Sequence, residues 1–176
     1  VFRLQSPRLS LPAAVLGGAL WAGCCAAGAA ATAGGVADPA IGRWITAHAK
    51  KMPGVELAEA RYAVRGDVDG DGRGDVAVLY TLRGGGGDGR LLRFLAVFRG
   101  GQRGLEYRAH ILVGGKGMRE VNRATILQRT VEIEALEYRT GDAACCPTQF
   151  VKRRYRLAGR KLERAATAAR GPHAKK

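Results

Sequence analysis

The run Asp67-Val68-Asp69-Gly70-Asp71-Gly72-Arg73-Gly74-Asp75 places four carboxylates at alternate or near-alternate positions, with a glycine directly after the third. Carboxylates crowded this closely repel one another unless a cation sits between them. Calcium takes six to eight oxygen ligands, and one short loop can supply most of them. In a calcium loop of the EF-hand type, positions 1, 3 and 5 offer side-chain oxygens and position 6 is a glycine at a sharp turn. Position 7 offers a carbonyl, and position 9 is often reached through water. Mapped onto this chain, the expected ligands are the carboxylates of Asp67, Asp69, Asp71 and Asp75 and the carbonyl of Arg73. Position 12 is Val78, so the bidentate glutamate of a true EF-hand is missing and the expected affinity is modest. The competing reading of the same residues is a solvated Gly/Asp turn with no metal.

The segment after the loop, Val76-Ala77-Val78-Leu79-Tyr80, reads as a strand rather than a helix. The pattern DVDGDGRGDVAVLY resembles the calcium loop of FG-GAP and VCBS-type repeats, from about Arg65 to Leu82. That resemblance implies a loop linking two strands, with its last Asp leading into the second. Only one copy is present, which excludes a propeller, since a propeller needs several blades. Together with the later element Asp142-Ala143-Ala144-Cys145-Cys146-Pro147, the chain resembles small bacterial secreted proteins and lipoproteins that carry one such loop and a DxxCCP element. The resemblance implies location and fold more than activity. Two Arg-Gly-Asp tripeptides, at 65–67 and 73–75, fall inside the loop and are read as coincidence.

The compartment is read from the first residues. Arg3 and Arg8 precede an uncharged stretch from Leu9 to Ala37 with an apolar centre at Leu11–Trp21. Small residues come next and end at Ala31-Thr32-Ala33. This is the pattern of a secretory signal peptide over 1–33, cleaved before Gly34. The expected location is periplasmic or extracellular. An alternative is an outer-membrane lipoprotein anchored at Cys24, because Leu20-Trp21-Ala22-Gly23-Cys24 resembles a bacterial lipobox. In that alignment Trp21 stands where the pattern wants Leu. The rest is of ordinary single-domain size: one domain over 34–164, then a basic disordered tail over 165–176.

The elements that position the loop are set by periodicity. Asp38 and Pro39 open a helix. Ile41, Trp44, Ile45 and His48 share one of its faces, Lys50 and Lys51 suit its C-terminal end, and Pro53-Gly54 stops it. Strands are predicted at Ala60–Arg65, Asp75–Leu82, Leu91–Phe98, Glu106–Val113, Val121–Leu127, Thr130–Tyr138 and Phe150–Leu157. The glycine run 84–87 makes a hairpin loop. Short connections favour an antiparallel meander. The expected fold is α+β, with an N-terminal helix packed on a mainly antiparallel β-sheet in two layers.

Other chemistry is sparse. Cys145 and Cys146 are the cysteines left after signal removal, and adjacency allows only a small strained ring between them. A vicinal disulfide, pairing with another chain, or a plain structural turn at Cys146-Pro147 are the readings. The C-x-x-C redox spacing is absent. His48, His110 and His173 are scattered, and no Ser-His-Asp or Cys-His arrangement is recognisable, so no enzyme is expected. Gly114-Gly115-Lys116-Gly117 lacks the spacing of a phosphate-binding loop.

The net charge is +14, and from Val151 to Lys176 there are ten Lys or Arg against the single acid Glu163. Lys152, Arg154 and Arg156 alternate along one strand face, a candidate stripe for anions. Aromatics are 6% of the chain, which argues against base stacking and sequence-specific nucleic-acid binding. The function expected is therefore a secreted or periplasmic calcium-binding, non-catalytic module of the bacterial envelope. The alternative is an envelope protein or inhibitor whose basic C-terminal surface binds an anionic partner: lipopolysaccharide, a cell-wall polymer or an acidic protein.

Overall fold

The computed structural model describes residues 38–84 and 89–165. The stretch expected to be a signal peptide, with its alternative lipidation site at Cys24, and the expected tail beyond Ala165 lie outside the described residues. So do His173 and residues 85–88, which include all of the glycine run after Gly84.

Helix α1 spans Pro39–Lys51. The Asp38 carboxylate accepts from the Ala40 N–H at 2.8 Å, satisfying one of the orphan donors of the first turn. The strands are β1 (Gly54–Glu56), β2 (Tyr62–Gly66), β3 (Asp75–Gly84), β4 (Leu91–Gly101), β5 (Gly104–Gly115), β6 (Arg119–Leu127), β7 (Thr130–Glu137), β8 (Gln149–Ala158) and β9 (Lys161–Ala165). They form one antiparallel sheet in the order β1-β3-β4-β5-β6-β7-β8-β9, and β2 also pairs with β3. Helix on antiparallel meander is the expected arrangement. Two strands were not anticipated. Strand β1 is three residues long and reads as the end of the helix turn. Strand β9 is a charged edge strand whose core contribution is Leu162. It ends at Ala165, the first residue assigned from sequence to the tail.

The sheet does more than support the helix. Strands β5 and β6 pair at a single position, Gly115↔Arg119. There the ladder all but breaks, and the second half of the sheet folds back over the first. Strand β3 is consequently covered on both faces, and residues 75–82 are all buried. Alternation divides them. Val76, Val78, Tyr80 and Leu82 pack with Ile41 and Ile45 of the helix. Ala77 and Leu79 pack with Val131, Ile133 and Tyr155 of the second half. A strand sandwiched this way reads as a continuous apolar run, as β3 does. The consequence for the loop is that its exit strand is the most deeply held element of the molecule.

Under the helix, an aromatic cluster adjoins this aliphatic packing. Trp44 stacks on Tyr107 with centroids 4.3 Å apart. His48 and His110, which the sequence leaves 62 positions apart, have ring centroids 4.5 Å apart. Each histidine shares a hydrogen bond through Nδ1, His48 with Tyr80 at 2.9 Å and His110 with Tyr107 at 2.7 Å. Burial lowers the pKa of both, and for His48 the neighbouring His110 and Lys51 add to the effect. The unfolded chain therefore takes up protons at a higher pH than the native state. Stability is expected to fall as pH drops below about 6.5, the ordinary histidine value. Urea midpoints at pH 8 and pH 5.5 check this: the wild type loses stability at the lower pH, and a His48→Gln/His110→Gln variant loses that pH dependence.

Candidate metal loop and its surroundings

The acidic loop occupies the turn between β2 and β3, residues 67–74. Each carboxylate first does local work. Asp67 accepts from the Gly70 N–H at 2.5 Å and the Gly72 N–H at 3.0 Å. Asp69 accepts from Asp71 N–H at 3.1 Å, and Asp71 from Arg73 N–H at 2.8 Å. These are successive Asx-type turns, the local bonding that makes Asp a turn residue. Gly72 has φ +77 with open space where a Cβ would stand, so backbone conformation rather than crowding selects glycine there.

One carboxylate oxygen from each of Asp67, Asp69 and Asp71 can be chosen so that all lie within 4.8 Å of one another. Two oxygens on a common calcium at 2.3–2.6 Å stand at most about 5 Å apart. The three side chains therefore fit a single metal ion. Arg73 is exposed on the same turn.

Asp75 is placed differently. It is fully buried as the first residue of β3. One oxygen accepts from Val68 N–H at 2.9 Å and the other from Gly100 N–H at 2.8 Å. The carboxylate thus fastens the loop's start to its end and to β4. Burial pushes its pKa up, opposed by those two backbone donors. A Cβ on Gly100 would stand 2.5 Å from the Gly74 carbonyl oxygen, so β4 and the loop touch backbone to backbone.

The unforeseen member is Arg99. Its guanidinium donates from Nε to Asp69 Oδ2 at 2.8 Å and from Nη2 to Asp71 Oδ2 at 2.7 Å. The hydrogen bond to Asp71 and the nearby Asp69 charge raise the Arg99 pKa, and Arg99 lowers that of Asp71. Arg99 was legible only through pairing: Val76 stands opposite Phe98, so the next residue of β4 must lie beside the loop.

The other candidates are dispersed. Lys152, Arg154 and Arg156 do alternate along β8, but each meets an acid of a neighbouring strand. Lys152 pairs with Glu132 at 2.9 Å and Glu134 at 3.1 Å, Arg154 with Glu132 at 2.8 Å, and Arg156 with Glu163 at 3.1 Å. Burial of Glu132 opposes its ionisation, yet the bonds from Lys152 and Arg154 hold its carboxyl below the usual range. The stripe is largely neutralised within the sheet.

Cys145 and Cys146 form a vicinal disulfide. It lies in the β7–β8 loop, where Asp142 accepts from the N–H groups of Arg139 and Thr148 at 2.8 and 2.9 Å. The Tyr138 hydroxyl donates to the Ala144 carbonyl at 2.7 Å, and Pro147 is buried. The DxxCCP element is thus a clasped loop, with the Asp as its clasp.

The chain matches no family model, no curated protein and no solved structure.

Proposed function

We propose that the chain is a calcium-binding, non-catalytic module of the bacterial envelope, secreted or periplasmic, whose metal stabilises the turn between β2 and β3. The observation that carries this reading is the convergence of the Asp67, Asp69 and Asp71 carboxylates within the span of one calcium coordination sphere. Calcium suits the site better than magnesium because it tolerates irregular oxygen shells, whereas magnesium demands near-ideal octahedra. The Arg73 carbonyl and water complete the shell. The secretory pattern of residues 1–33 supports the location, as does the Cys145–Cys146 disulfide, a bond that persists in oxidising compartments. The reading as an anion-binding surface at Lys152, Arg154 and Arg156 draws less support, because those charges are paired with Glu132, Glu134 and Glu163.

Exposed, three-carboxylate geometry points to a Kd near the extracellular range of about 10⁻⁴ to 10⁻³ M. A hundredfold excess of free calcium over Kd then adds about 2.7 kcal/mol to stability, several degrees in Tm for a domain of this size. Thermal unfolding in calcium, in magnesium and in chelator tests this. The expected result is a rise in calcium that chelator reverses and magnesium does not match. Identical midpoints in all three would leave the loop as a polar turn.

A further inference from the structure

The near-break between β5 and β6 has a second structural result, remote in sequence from the acidic loop. Where the sheet folds back, it leaves an open cleft of about 590 Å³. Its walls come from both halves: Leu91 and Arg93 of β4, Arg119 and Val121 of β6, and Tyr138 and Pro147 of the clasped β7–β8 loop. The Cys145 half of the disulfide also lines it. The size falls within the range of small-molecule sites, which are mainly apolar with a few convergent polar groups.

The polar groups here are mostly cationic. Arg93, Lys116 and Arg119 line the cleft against one acid, Glu120. Arg93 is the most telling. Its Nη1 donates to the Ala60 carbonyl and the Thr81 hydroxyl at 2.5 and 2.7 Å. Both partners are neutral, and among the described residues no carboxylate lies within ion-pair distance of Arg93 or Lys116. Arg93 Nε is buried without any hydrogen-bond partner. Burial depresses the Arg93 pKa, as expected for a guanidinium that has lost water and gained no counter-charge. Arg119 is little better compensated. Its Nε stands 3.4 Å from Glu137 and is also without a hydrogen bond. Glu137 is already engaged by Arg153 through contacts of 2.6 to 3.1 Å. A half-buried guanidinium whose Nε is cut off from water and from any acceptor is costly beside apolar walls unless a ligand supplies the anion. The planar guanidinium fork is the group that matches a carboxylate.

We propose that this cleft binds a small amphipathic organic anion, a carboxylate on an apolar body, with Arg93 engaging the carboxylate and the Val121, Tyr138 and Pro147 side holding the body. Arg119 and Lys116, which also line the cleft, add to the attraction. The site is independent of the acidic loop, so binding survives in chelator.

The test is calorimetric titration of the full chain, in calcium and in chelator, with decanoate below its micellar concentration. Decanamide serves as the neutral isostere, and inorganic phosphate as an anion without an apolar body. The expected result is saturable 1:1 binding of decanoate in both buffers, with decanamide and phosphate each weaker by about tenfold or more. Arg93→Gln should weaken decanoate to a similar degree. Because Arg93 also ties Ala60 to Thr81, Ala144→Trp provides a second variant. It places a large ring from the exposed β7–β8 loop across the cleft, leaves the guanidinium untouched and should abolish binding with an unchanged melting midpoint. Equal affinity for decanoate and decanamide, phosphate binding as tight as decanoate, absence of saturable binding, or wild-type affinity in a folded variant would each overturn the proposal.

Discussion

Replacing Asp75 by Ala lowers the unfolding free energy by about 3 kcal/mol, equally in calcium and in chelator. The carboxylate is fully buried, and both its oxygens accept backbone N–H groups, from Val68 and Gly100. Alanine removes two charge-assisted hydrogen bonds and leaves two buried donors unsatisfied, the costly half of the exchange. Water cannot readily repair the loss, because Gly100 and the Gly74 carbonyl are already in backbone contact. Asp75→Asn keeps the shape but can accept with only one atom, so it recovers part of the loss. Urea unfolding of the three proteins in each buffer measures this. A loss for Asp75→Ala that vanishes in chelator would make Asp75 chiefly a metal ligand, as its place in the motif alone suggests.

Asp75 marks where sequence reading reaches its limit. An Asp at position 9 of a calcium-loop pattern looks like one more ligand, because spacing along the chain is all that the pattern records. Its burial depends on β4 lying alongside, and that is a tertiary fact. The same holds for Arg99, which enters the loop from a strand that the motif does not contain. Local chemistry was legible: the Asp38 cap, the face of Ile41 and Ile45, and strands β2 to β8 all derive from capping rules and alternation. The fold-back was not, because β3 carries the continuous apolar run of any strand with two covered faces. Nothing in Val76–Leu82 says which partner covers each face. The basic stripe was legible as alternation but not as charge. Glu132 and Glu134 sit on β7, and only the β7–β8 register brings them against Lys152 and Arg154. Sequence thus identified the loop that could hold a cation and missed the cation the chain itself provides.

That internal cation leads to paired variants with opposite effects. Asp69→Ala removes one of three convergent carboxylates and weakens calcium binding by roughly tenfold or more, since ligand charge count tunes such sites. Its stability falls in calcium and changes little in chelator, where the losses are the exposed bond to the Asp71 N–H and a partly exposed pair with Arg99, which keeps its contact with Asp71. Arg99→Gln works the other way. The guanidinium holds the Oδ2 atoms of Asp69 and Asp71 at 2.8 and 2.7 Å, so a calcium ion drawing on those carboxylates must compete with it and also meets its positive charge. Removing that charge tightens calcium binding by roughly fivefold, the scale of a solvent-screened ion pair. The variant therefore melts below the wild type in chelator, where the loop has lost its own counter-ion, and recovers more on adding calcium. Calorimetric titration of both variants separates this competition from a passive structural role. If Arg99→Gln binds calcium no better than wild type while Asp69→Ala still binds it worse, the guanidinium and the metal occupy different sides of the loop and do not compete.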